Sequence, residues 1–437
     1  MSATTTRTGR ALTVVIAAAL LLSSCTAVEP PADGQSVPAE PTPAVTNELN
    51  GFEGELGLDW ARIASPLDEI TPLNTIEAAA GRLWVLANTN EQIADTFVTR
   101  TGRDRLLVSN DGVEWSEVDL DALGIPREIN GGAVMTGDHE RVVVVFSASN
   151  GVFGPDGPQP RPWVLVGDLD DWRVFGPDEL GEWSVTATGS GRFNVGSMLD
   201  VALVGDTVIA AAEGSWPGSG RSVTLIVATL ALDLSTGQAV LRADRTAPFG
   251  DDDLHTISNL VSHEGAAYAF GHSTTGSGIA LTVWRTTDGI TWSEQRPNAA
   301  ELAPFVTVVD AAVGPPGLVV VAEVDADGIG ADGSVALSSS DGQQWNLVDL
   351  GSAWDAEAVF WSGDSFVVAG TARPEHPVDE FEATWVSSDG LEWTMLERSA
   401  RLAFVLEVVE IPGGLIGVRE DRLTGTGVLP PFATLVG

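Results

Sequence analysis

The sequence predicts an all-β protein, most simply a β-propeller of seven four-stranded blades. Three observations support this fold class. A heptapeptide with a central Asp-Gly pair occurs four times, short apolar segments recur along the chain, and no segment shows the capped apolar periodicity of an amphipathic helix. A chain of 437 residues is long enough for two or three average domains, but a propeller uses such a length as one unit.

The repeated heptapeptide marks a tight connection between two strands. It occurs as S-N-D-G-V-E-W at 109–115, T-T-D-G-I-T-W at 286–292, S-S-D-G-Q-Q-W at 339–345 and S-S-D-G-L-E-W at 387–393. Asp-Gly is a strong hairpin signal, because a type I′ turn requires positive φ at both central residues. The residues expected to shape these turns are Asp111, Gly112, Trp115, Asp288, Gly289, Trp292, Asp341, Gly342, Trp345, Asp389, Gly390 and Trp393.

A turn followed by a short, continuous apolar segment is the second recurring feature. Such segments suit strands that are covered on both faces, as between stacked sheets. Their starts are separated by roughly 50–65 residues, a spacing typical of propeller blades. The seven segments are 82–87, 141–146, 207–212, 266–270, 317–322, 365–370 and 414–418.

Each unit is predicted to contain four strands, A to D in chain order, with the Asp-Gly turn between C and D. In the unit spanning 305–350 the predicted strands are 306–312, 318–323, 335–339 and 344–348. Less regular D strands are predicted near Trp60, Trp172 and Gln238.

The last unit lacks a fourth strand. Its predicted A, B and C strands lie at 405–410, 415–418 and 433–436, and the chain then ends. The strand near Trp60 is therefore predicted to complete this blade and close the ring, which would protect both open edges. Because the repeats are degenerate over 116–285, six and eight blades are the alternatives.

The formal net charge is −39, from 61 acidic residues and 22 basic residues, all of them arginine. So negative a surface argues against nucleic acid as a partner and against broad electrostatic contact with anionic lipid. The excess of acidic residues is expected mainly to keep the domain soluble.

The N-terminus has the features of a secretory signal. Arg7 and Arg10 precede the apolar segment 11–22, and small residues lead to Cys25, the only cysteine of the chain. The apolar segment is shorter than the roughly 20 residues of a transmembrane helix. The pattern resembles a bacterial lipoprotein signal, which implies that residues 1–24 are removed and that Cys25 carries acyl chains.

Three regions follow from this N-terminal pattern. Residues 1–24 are the signal peptide, and residues 25–50, rich in Pro, Ala and Glu, are expected to form a flexible tether. Residues 51–437 are expected to form the propeller. The protein is then an extracytoplasmic monomer anchored to the bacterial cell membrane through Cys25.

The four heptapeptides resemble the Asp-box, or BNR, repeat of sialidases and related propellers, S-x-D-x-G-x-x-W. Here one residue is missing, because Asp and Gly are adjacent. In that family the repeat is a folding element at the outer edge of the blade, so the resemblance implies a propeller and not an activity.

Sialidase activity would require a tyrosine nucleophile paired with a glutamate, an acid/base aspartate, three arginines and usually an R-I-P motif. The one tyrosine, Tyr268, lies within an apolar strand and is expected to be structural. Arg62-Ile63-Ala64 only approximates R-I-P. The functional residues of the family therefore do not carry over.

Side chains near the connections between blades are the remaining candidates for a site. Arg127, Arg192 and Arg401 fall at three blade entries and are candidates to bind a carboxylate or sulfate. Their alternative role is pairing with nearby acids. Asp355 and Glu357 would share one face of a regular strand, as a carboxylate pair for glycoside hydrolysis requires. The full set at the predicted channel mouth is Arg127, Arg192, Arg401, His255, Trp354 and Asp355.

No metal or cofactor is expected. The five histidines show no H-E-x-x-H spacing, and thiolate ligands are absent. Asp325-Ala326-Asp327-Gly328 with Asp332 weakly resembles a calcium loop but lacks a full set of oxygen ligands. The G-x-G-x-x-G match at 328–333 precedes no predicted helix, and no G-x-S-x-G is present.

Two functional hypotheses follow. The first is a surface lipoprotein whose propeller binds a protein or glycan partner, with no evident catalytic residues. The second is a sialidase-like glycoside hydrolase with a divergent active site. An enzyme should bring acids and arginines together at the channel mouth, whereas a binding protein should expose an aromatic or apolar patch. Trp216, Trp354 and Trp361 are the candidates for such a patch.

Overall fold

A computed structural model gives the fold, and the compact unit spans Leu49–Gly437. The structure describes residues 61–63, 73–88, 91–92, 99–100, 104–110, 114–125, 129–148, 161–181, 184–185, 194–217, 223–243, 254–275, 278–295, 297, 305–325, 333–350, 354–372, 381–397, 405–411, 414–420 and 432–436. The predicted signal peptide, Cys25 and the predicted tether lie outside these residues.

The described residues are almost entirely β-strand. The strands of the first half are β1 Ala61–Ile63, β2 Leu73–Ala79, β3 Arg82–Asn88, β4 Glu91–Gln92, β5 Thr99–Arg100, β6 Asp104–Ser109, β7 Trp115–Glu117, β8 Ile129–Gly137, β9 Val142–Ala148, β10 Arg161–Gly167, β11 Trp172–Phe175, β12 Ser184–Val185, β13 Asn194–Val204, β14 Thr207–Pro217, β15 Val223–Asp233 and β16 Gln238–Ala243. A single turn of helix, α1, spans Pro177–Leu180.

The second half continues in the same way. Its strands are β17 Leu254–His263, β18 Ala266–Thr275, β19 Gly278–Thr286, β20 Ser293–Gln295, β21 Phe305–Gly314, β22 Gly317–Asp325, β23 Gly333–Ser339, β24 Asn346–Asp349, β25 Trp354–Trp361, β26 Phe366–Ala372, β27 Phe381–Ser387, β28 Thr394–Glu397, β29 Val405–Ile411, β30 Gly414–Glu420 and β31 Phe432–Val436. No helix among the described residues is long and apolar enough to cross a membrane.

The strands form six four-stranded antiparallel sheets and one five-stranded sheet, and β4 and β5 pair as a separate hairpin. In chain order the sheets are sheet 1 (β2, β3, β6, β7), sheet 2 (β8–β11), sheet 3 (β13–β16 with β12), sheet 4 (β17–β20), sheet 5 (β21–β24), sheet 6 (β25–β28) and sheet 7 (β29–β31 with β1). β12 was not predicted, and it pairs parallel to β16 at the edge of sheet 3.

Most predicted strands are confirmed. All seven apolar segments are the second strands of their sheets, and the predicted outer strands at Trp172 and Gln238 are β11 and β16. At the N-terminus, β1 pairs antiparallel with β31, so that Arg62 lies opposite Leu435. The strand predicted near Trp60 is β1, and it is the fourth strand of the last sheet, as the sequence predicted.

The first strands of the sheets lie next to one another. β2 contacts β8, β8 contacts β13, and the series continues through β17, β21, β25 and β29. β29 in turn contacts β2, so each first strand has two first strands as neighbours. Successive sheets therefore meet through these first strands, which we call the inner strands.

The second strands form the core between successive sheets. Val142 to Phe146 and Val319 to Ala322 are nearly inaccessible to solvent, because sheets pack on both of their faces. One apolar cluster joins sheets 1 and 2 around Trp84, and another joins sheets 4 and 5 around Phe270. These continuous apolar strands bury most of the large side chains, and this burial is the main driving force for stacking.

The Asp-Gly turns differ from the predicted hairpins. Strands β19 and β20 are separated by the six residues 287–292, and only Gly289 of the Asp-Gly pair has positive φ. The Asp288 carboxylate instead accepts backbone N–H bonds from Ile290 and Thr291, at 2.8 and 2.7 Å. The type I′ prediction is therefore wrong, because side-chain hydrogen bonding by the aspartate replaces a second positive-φ residue.

The same hydrogen bonds recur in two further copies. Asp341 accepts N–H bonds from Gln343 and Gln344, and Asp389 accepts them from Leu391 and Glu392. The indole N–H of Trp292 and of Trp393 donates to the carbonyl of its own turn glycine. In the first copy, Asp111 and Gly112 lie outside the described residues, whereas Trp115 begins β7.

Each turn glycine packs against the preceding sheet. A Cβ on Gly289 would lie 2.7 Å from the Ala231 Cβ in sheet 3, and one on Gly342 would lie 2.1 Å from the Tyr268 ring in sheet 4. The turns therefore need glycine for two reasons, positive φ and the close approach of the neighbouring sheet.

We predict that Gly342→Ala destabilises the protein by about 2–4 kcal/mol, because the added methyl group combines positive-φ strain with overpacking against Tyr268. Gly81→Ala is the matched control, since Gly81 has the same positive φ but no atom within 4 Å of the added Cβ. It should cost about 1 kcal/mol. Urea unfolding of both variants measures the difference, and equal losses would contradict the packing role.

Candidate functional site

A β-bulge interrupts each of the seven first strands. The register shifts next to residues 74, 199, 258, 309, 357 and 406, and over 130–132 in β8. A bulge bends the strand and re-aims the side chain that follows it. The bulges therefore act on the inner strands at similar depths in every sheet.

Three consecutive sheets place a polar side chain directly after the bulge. These residues are Asp200 in β13, Asn259 in β17 and Asp310 in β21, each four residues before the end of its strand. The same position holds Thr75 in β2 and Ala133 in β8. In the remaining two sheets this position holds Ala358 in β25 and Glu407 in β29, so a polar residue follows the bulge in five of the seven sheets.

The two aspartates connect neighbouring first strands. Asp200 accepts the Leu260 N–H of β17 at 2.6 Å, and Asp310 accepts the Val359 N–H of β25 at 2.8 Å. Each also accepts the N–H of its own following residue. Asn259 lies between them along the series of sheets and donates its side-chain N–H to Asp310 at 3.0 Å. The carboxylates are therefore held rigidly by backbone donors.

These polar residues line a cavity of about 300 Å³, the strand-lined cavity. Its other lining residues come from six of the inner strands. The described lining residues are Thr75, Ala133, Val134, Met135, Leu199, Asp200, Ser258, Asn259, Asp310, Ala311, Ala358, Val359 and Phe360. The volume is at the lower end of the range for small-molecule sites.

The protein environment holds both carboxyl groups close to their protonated form. Both aspartates are partly buried in the cavity lining, which removes their carboxyl groups from much of the solvent. This desolvation raises the pKa of Asp200 to about 7 and the pKa of Asp310 to about 6, against the opposing effect of the backbone N–H bonds. The charge of Asp310 contributes further to the raised pKa of Asp200.

The sequence analysis did not identify Asp200, Asn259 or Asp310. The sequence feature that could have identified these three residues is a polar residue inside an otherwise apolar first strand, four residues before the strand ends. That signal is weak because alternation along a strand cannot locate a bulge, and the bulge decides which face the polar side chain occupies.

Three of the six predicted channel-mouth residues lie outside the described residues, and the backbone is described for the other three. Arg127, Arg192 and Arg401 are outside the described residues, so the anion-binding prediction stays a prediction. The backbone places His255 opposite Ser273 in sheet 4.

In sheet 6 the backbone places Trp354 opposite Ala372, and Asp355 opposite Thr371. The bulge at Glu357 interrupts the regular alternation on which its pairing with Asp355 depended.

Tyr268 is part of the packing between sheets 4 and 5. Its side chain is buried, its hydroxyl donates to the Asp341 carbonyl at 3.3 Å, and the Arg285 Nε–H donates to it at 3.1 Å. The Arg285 guanidinium also lies 5.8 Å from the centre of the ring. This location is at an Asp-Gly turn and not in the strand-lined cavity, and it matches the structural role expected from the sequence.

Other candidate features are limited. Among the described residues, no group of three or more His, Cys, Asp and Glu side chains is arranged to hold a metal ion. Residues 326–332 of the weak calcium-loop match lie outside them. Trp361, one candidate for an exposed aromatic patch, packs edge-on against Phe366 with ring centres 4.8 Å apart.

Comparisons with known proteins give structural similarity at low sequence identity. No family model and no curated protein matches the chain. One solved structure that resembles it is an ulvan lyase of a polysaccharide lyase family, at 12% identity over 73% of this chain and 78% of that chain, with a TM-score of 0.41. A second is a sialidase from Trypanosoma rangeli, at 12% identity over 74% of this chain and 55% of that chain, with a TM-score of 0.42. A third is the β-propeller domain of the trilobed protease from Pyrococcus furiosus, at 8% identity over 84% of this chain and 93% of that chain, with a TM-score of 0.45.

We predict that Asp200 and Asp310 make the protein more stable in mild acid than at neutral pH. An aspartate in an unfolded chain has a pKa near ~3.9. Both folded pKa values are higher, so between about pH 4 and 7 the folded state binds more protons, and stability falls as pH rises through that window. The slope is at most about 1.4 kcal/mol per pH unit for each proton.

Urea unfolding at pH 5.5 and 7.5 measures this effect. Asp200→Asn should remove a large part of the extra stability at pH 5.5. The matched control is Asp168→Asn, in an exposed turn where N–H bonds from Asp170 and Asp171 lower the pKa of Asp168, and it should leave the effect in place. An unchanged pH dependence in Asp200→Asn would contradict the assignment.

Proposed function

We propose that the protein is a seven-bladed β-propeller, anchored outside the cell membrane through Cys25, that binds a partner at the strand-lined cavity without catalysing a reaction. The cyclic order of contacts among the seven first strands supports the blade count. The pairing of β1 with β31 supports closure of the ring by the N-terminal strand, because β1 covers the edge that β31 would otherwise leave unpaired.

The observation that carries the binding function is the polar lining of the cavity. Asp200 and Asp310 each accept two backbone N–H bonds, and Asn259 also donates to Asp310. A nucleophile or general base must be free to approach a substrate, whereas a recognition site benefits from groups fixed in place. The cavity therefore suits recognition of one small group, such as the terminal unit of a glycan or a protein side chain.

Glycoside hydrolysis is the second candidate, and the pKa values of the two aspartates favour it. A carboxyl group that keeps its proton near neutral pH can act as a general acid, and a second carboxylate can act as base or nucleophile. In this alternative Asp200 is the acid and Asp310 its partner.

One experiment separates the two candidates. The full chain, purified from membranes in detergent, is incubated with sialosides and cell-envelope glycans, and binding and cleavage are followed together by calorimetry and mass spectrometry. We expect saturable binding of at least one glycan or envelope protein and no cleavage. Asp200→Asn should weaken binding at least about tenfold, the loss of one charge-assisted hydrogen bond.

Tyr268→Phe is the control, because Tyr268 lies away from the cavity, and it should leave binding unchanged. Cleavage by the wild type that disappears in Asp200→Asn would overturn the binding function in favour of the hydrolase. Cleavage that disappears in Tyr268→Phe would assign catalysis to the tyrosine.

The membrane anchor has its own test. Cys25→Ser should prevent acylation, because serine provides no thiol for the lipid. We expect the wild type to take up a labelled fatty acid and to sediment with membranes, and the variant to do neither. Sedimentation of an unlabelled wild type would contradict anchoring through Cys25.

A further inference from the structure

We propose that the strand-lined cavity recognises a small organic cation through a primary ammonium group, with a compact apolar body against the apolar residues of the lining. This inference rests on the proposed function, because it names the chemical class that the binding site takes. It concerns the group bound inside the cavity, whether that group is a free amine or part of an amino sugar.

The charge balance of the lining favours a cation. Two carboxyl groups, Asp200 and Asp310, line the cavity, and none of its described lining residues is basic. Close to one another and removed from much of the solvent, two carboxylates repel, and a cation placed between them would relieve this repulsion. The raised pKa values of both groups are the response expected where no such cation is bound.

The hydrogen-bonding groups at the polar wall favour a donor. Carboxylate oxygens have about four lone-pair directions, and Asp200 uses two of them for the N–H groups of Val201 and Leu260. The side-chain oxygen of Asn259 is buried and has no hydrogen-bond partner in the described part of the chain. A primary ammonium carries three N–H donors, which matches a wall that is rich in acceptors.

Apolar residues in the lining favour an organic body over a bare metal ion. Met135, Leu199 and Phe360 belong to the same cavity lining as the two aspartates. Ca²⁺ takes six to eight oxygen ligands, and the described residues contain no group of three or more acidic or histidine side chains that could hold a metal. A volume of about 300 Å³ leaves room for one ring-sized group beside the ammonium.

Binding of such a cation must release protons below neutral pH. The ammonium favours ionised carboxylates, so protons leave Asp200 and Asp310 when it binds. Asp310 is the charged group that acts on Asp200, and no other titratable side chain is among the lining residues that the structure describes. Glu407 occupies the equivalent position of β29, where only the backbone is described. Affinity should therefore fall by about tenfold between pH 8 and pH 6, the range over which Asp200 takes up its proton.

The test uses three probes that share one body. The full chain in detergent is titrated calorimetrically with cyclohexylammonium, cyclohexanol and cyclohexyltrimethylammonium, each against a detergent blank, at pH 8 and pH 6. We expect cyclohexylammonium to bind at least about tenfold more tightly than the other two probes, because only it offers both charge and N–H donors. Glucosamine and glucose form a second matched pair, which distinguishes an amino sugar from a simple amine as the source.

Variants locate the binding. Asp200→Asn should reduce the affinity for cyclohexylammonium at least about tenfold and remove most of its pH dependence between pH 8 and pH 6, whereas Asp168→Asn removes one charge outside the cavity and should change neither. If the wild-type protein binds cyclohexylammonium and cyclohexanol with equal affinity, the proposal is overturned. Glycan binding without cleavage and without an ammonium preference overturns this ligand class while the proposed binding function stands.

Discussion

The hydrogen bond from a backbone N–H of one first strand to a buried carboxylate of another is the interaction on which the site depends. A bulge in each inner strand re-aims the next side chain, and in β13 and β21 that side chain is an aspartate. Asp200 reaches the Leu260 N–H, and Asp310 reaches the Val359 N–H. The same two bonds that connect neighbouring sheets also fix the acidic wall of the cavity. The contacts between sheets and the proposed recognition therefore involve the same groups, and desolvation of these carboxyl groups is a cost that the rest of the fold has to offset.

The outer edges of the sheets offset part of this cost by close packing. Each described Asp-Gly turn presses its glycine against the sheet before it, and the aspartate satisfies the turn N–H groups that solvent would otherwise have to reach. Arginine side chains add further hydrogen bonds between successive sheets. Arg173 donates to the Leu234 carbonyl, and Arg242 to the Ile290 carbonyl, each across to the next sheet. Successive sheets are thus connected at the inner and the outer ends of their strands, and the apolar second strands fill the space between.

Much of the fold could be predicted from the sequence because its signals are local. The seven apolar second strands and the outer strands at Trp172 and Gln238 follow from pattern and turn residues alone. The site could not be predicted, because it depends on bulges that shift the face of Asp200, Asn259 and Asp310, and a bulge leaves no periodic signature. The predicted turn type was wrong for a related reason. The Asp-Gly pair predicts positive φ at both residues, whereas the Asp288 carboxylate stabilises a longer turn through hydrogen bonds that no propensity describes.

Cross-linking of the first described strand to the last tests the proposed closed ring most directly. In a Cys25→Ser background, Arg62→Cys with Leu435→Cys places two thiols at opposite positions of β1 and β31, and the neighbouring opposite pair is Ile63 with Thr434. The account predicts that at least one of these pairs forms an intrachain disulfide in the folded protein, as a control pair at Ser338 and Asn346 within sheet 5 should. Efficient cross-linking of the control with none between β1 and β31 would contradict a ring closed around the cavity.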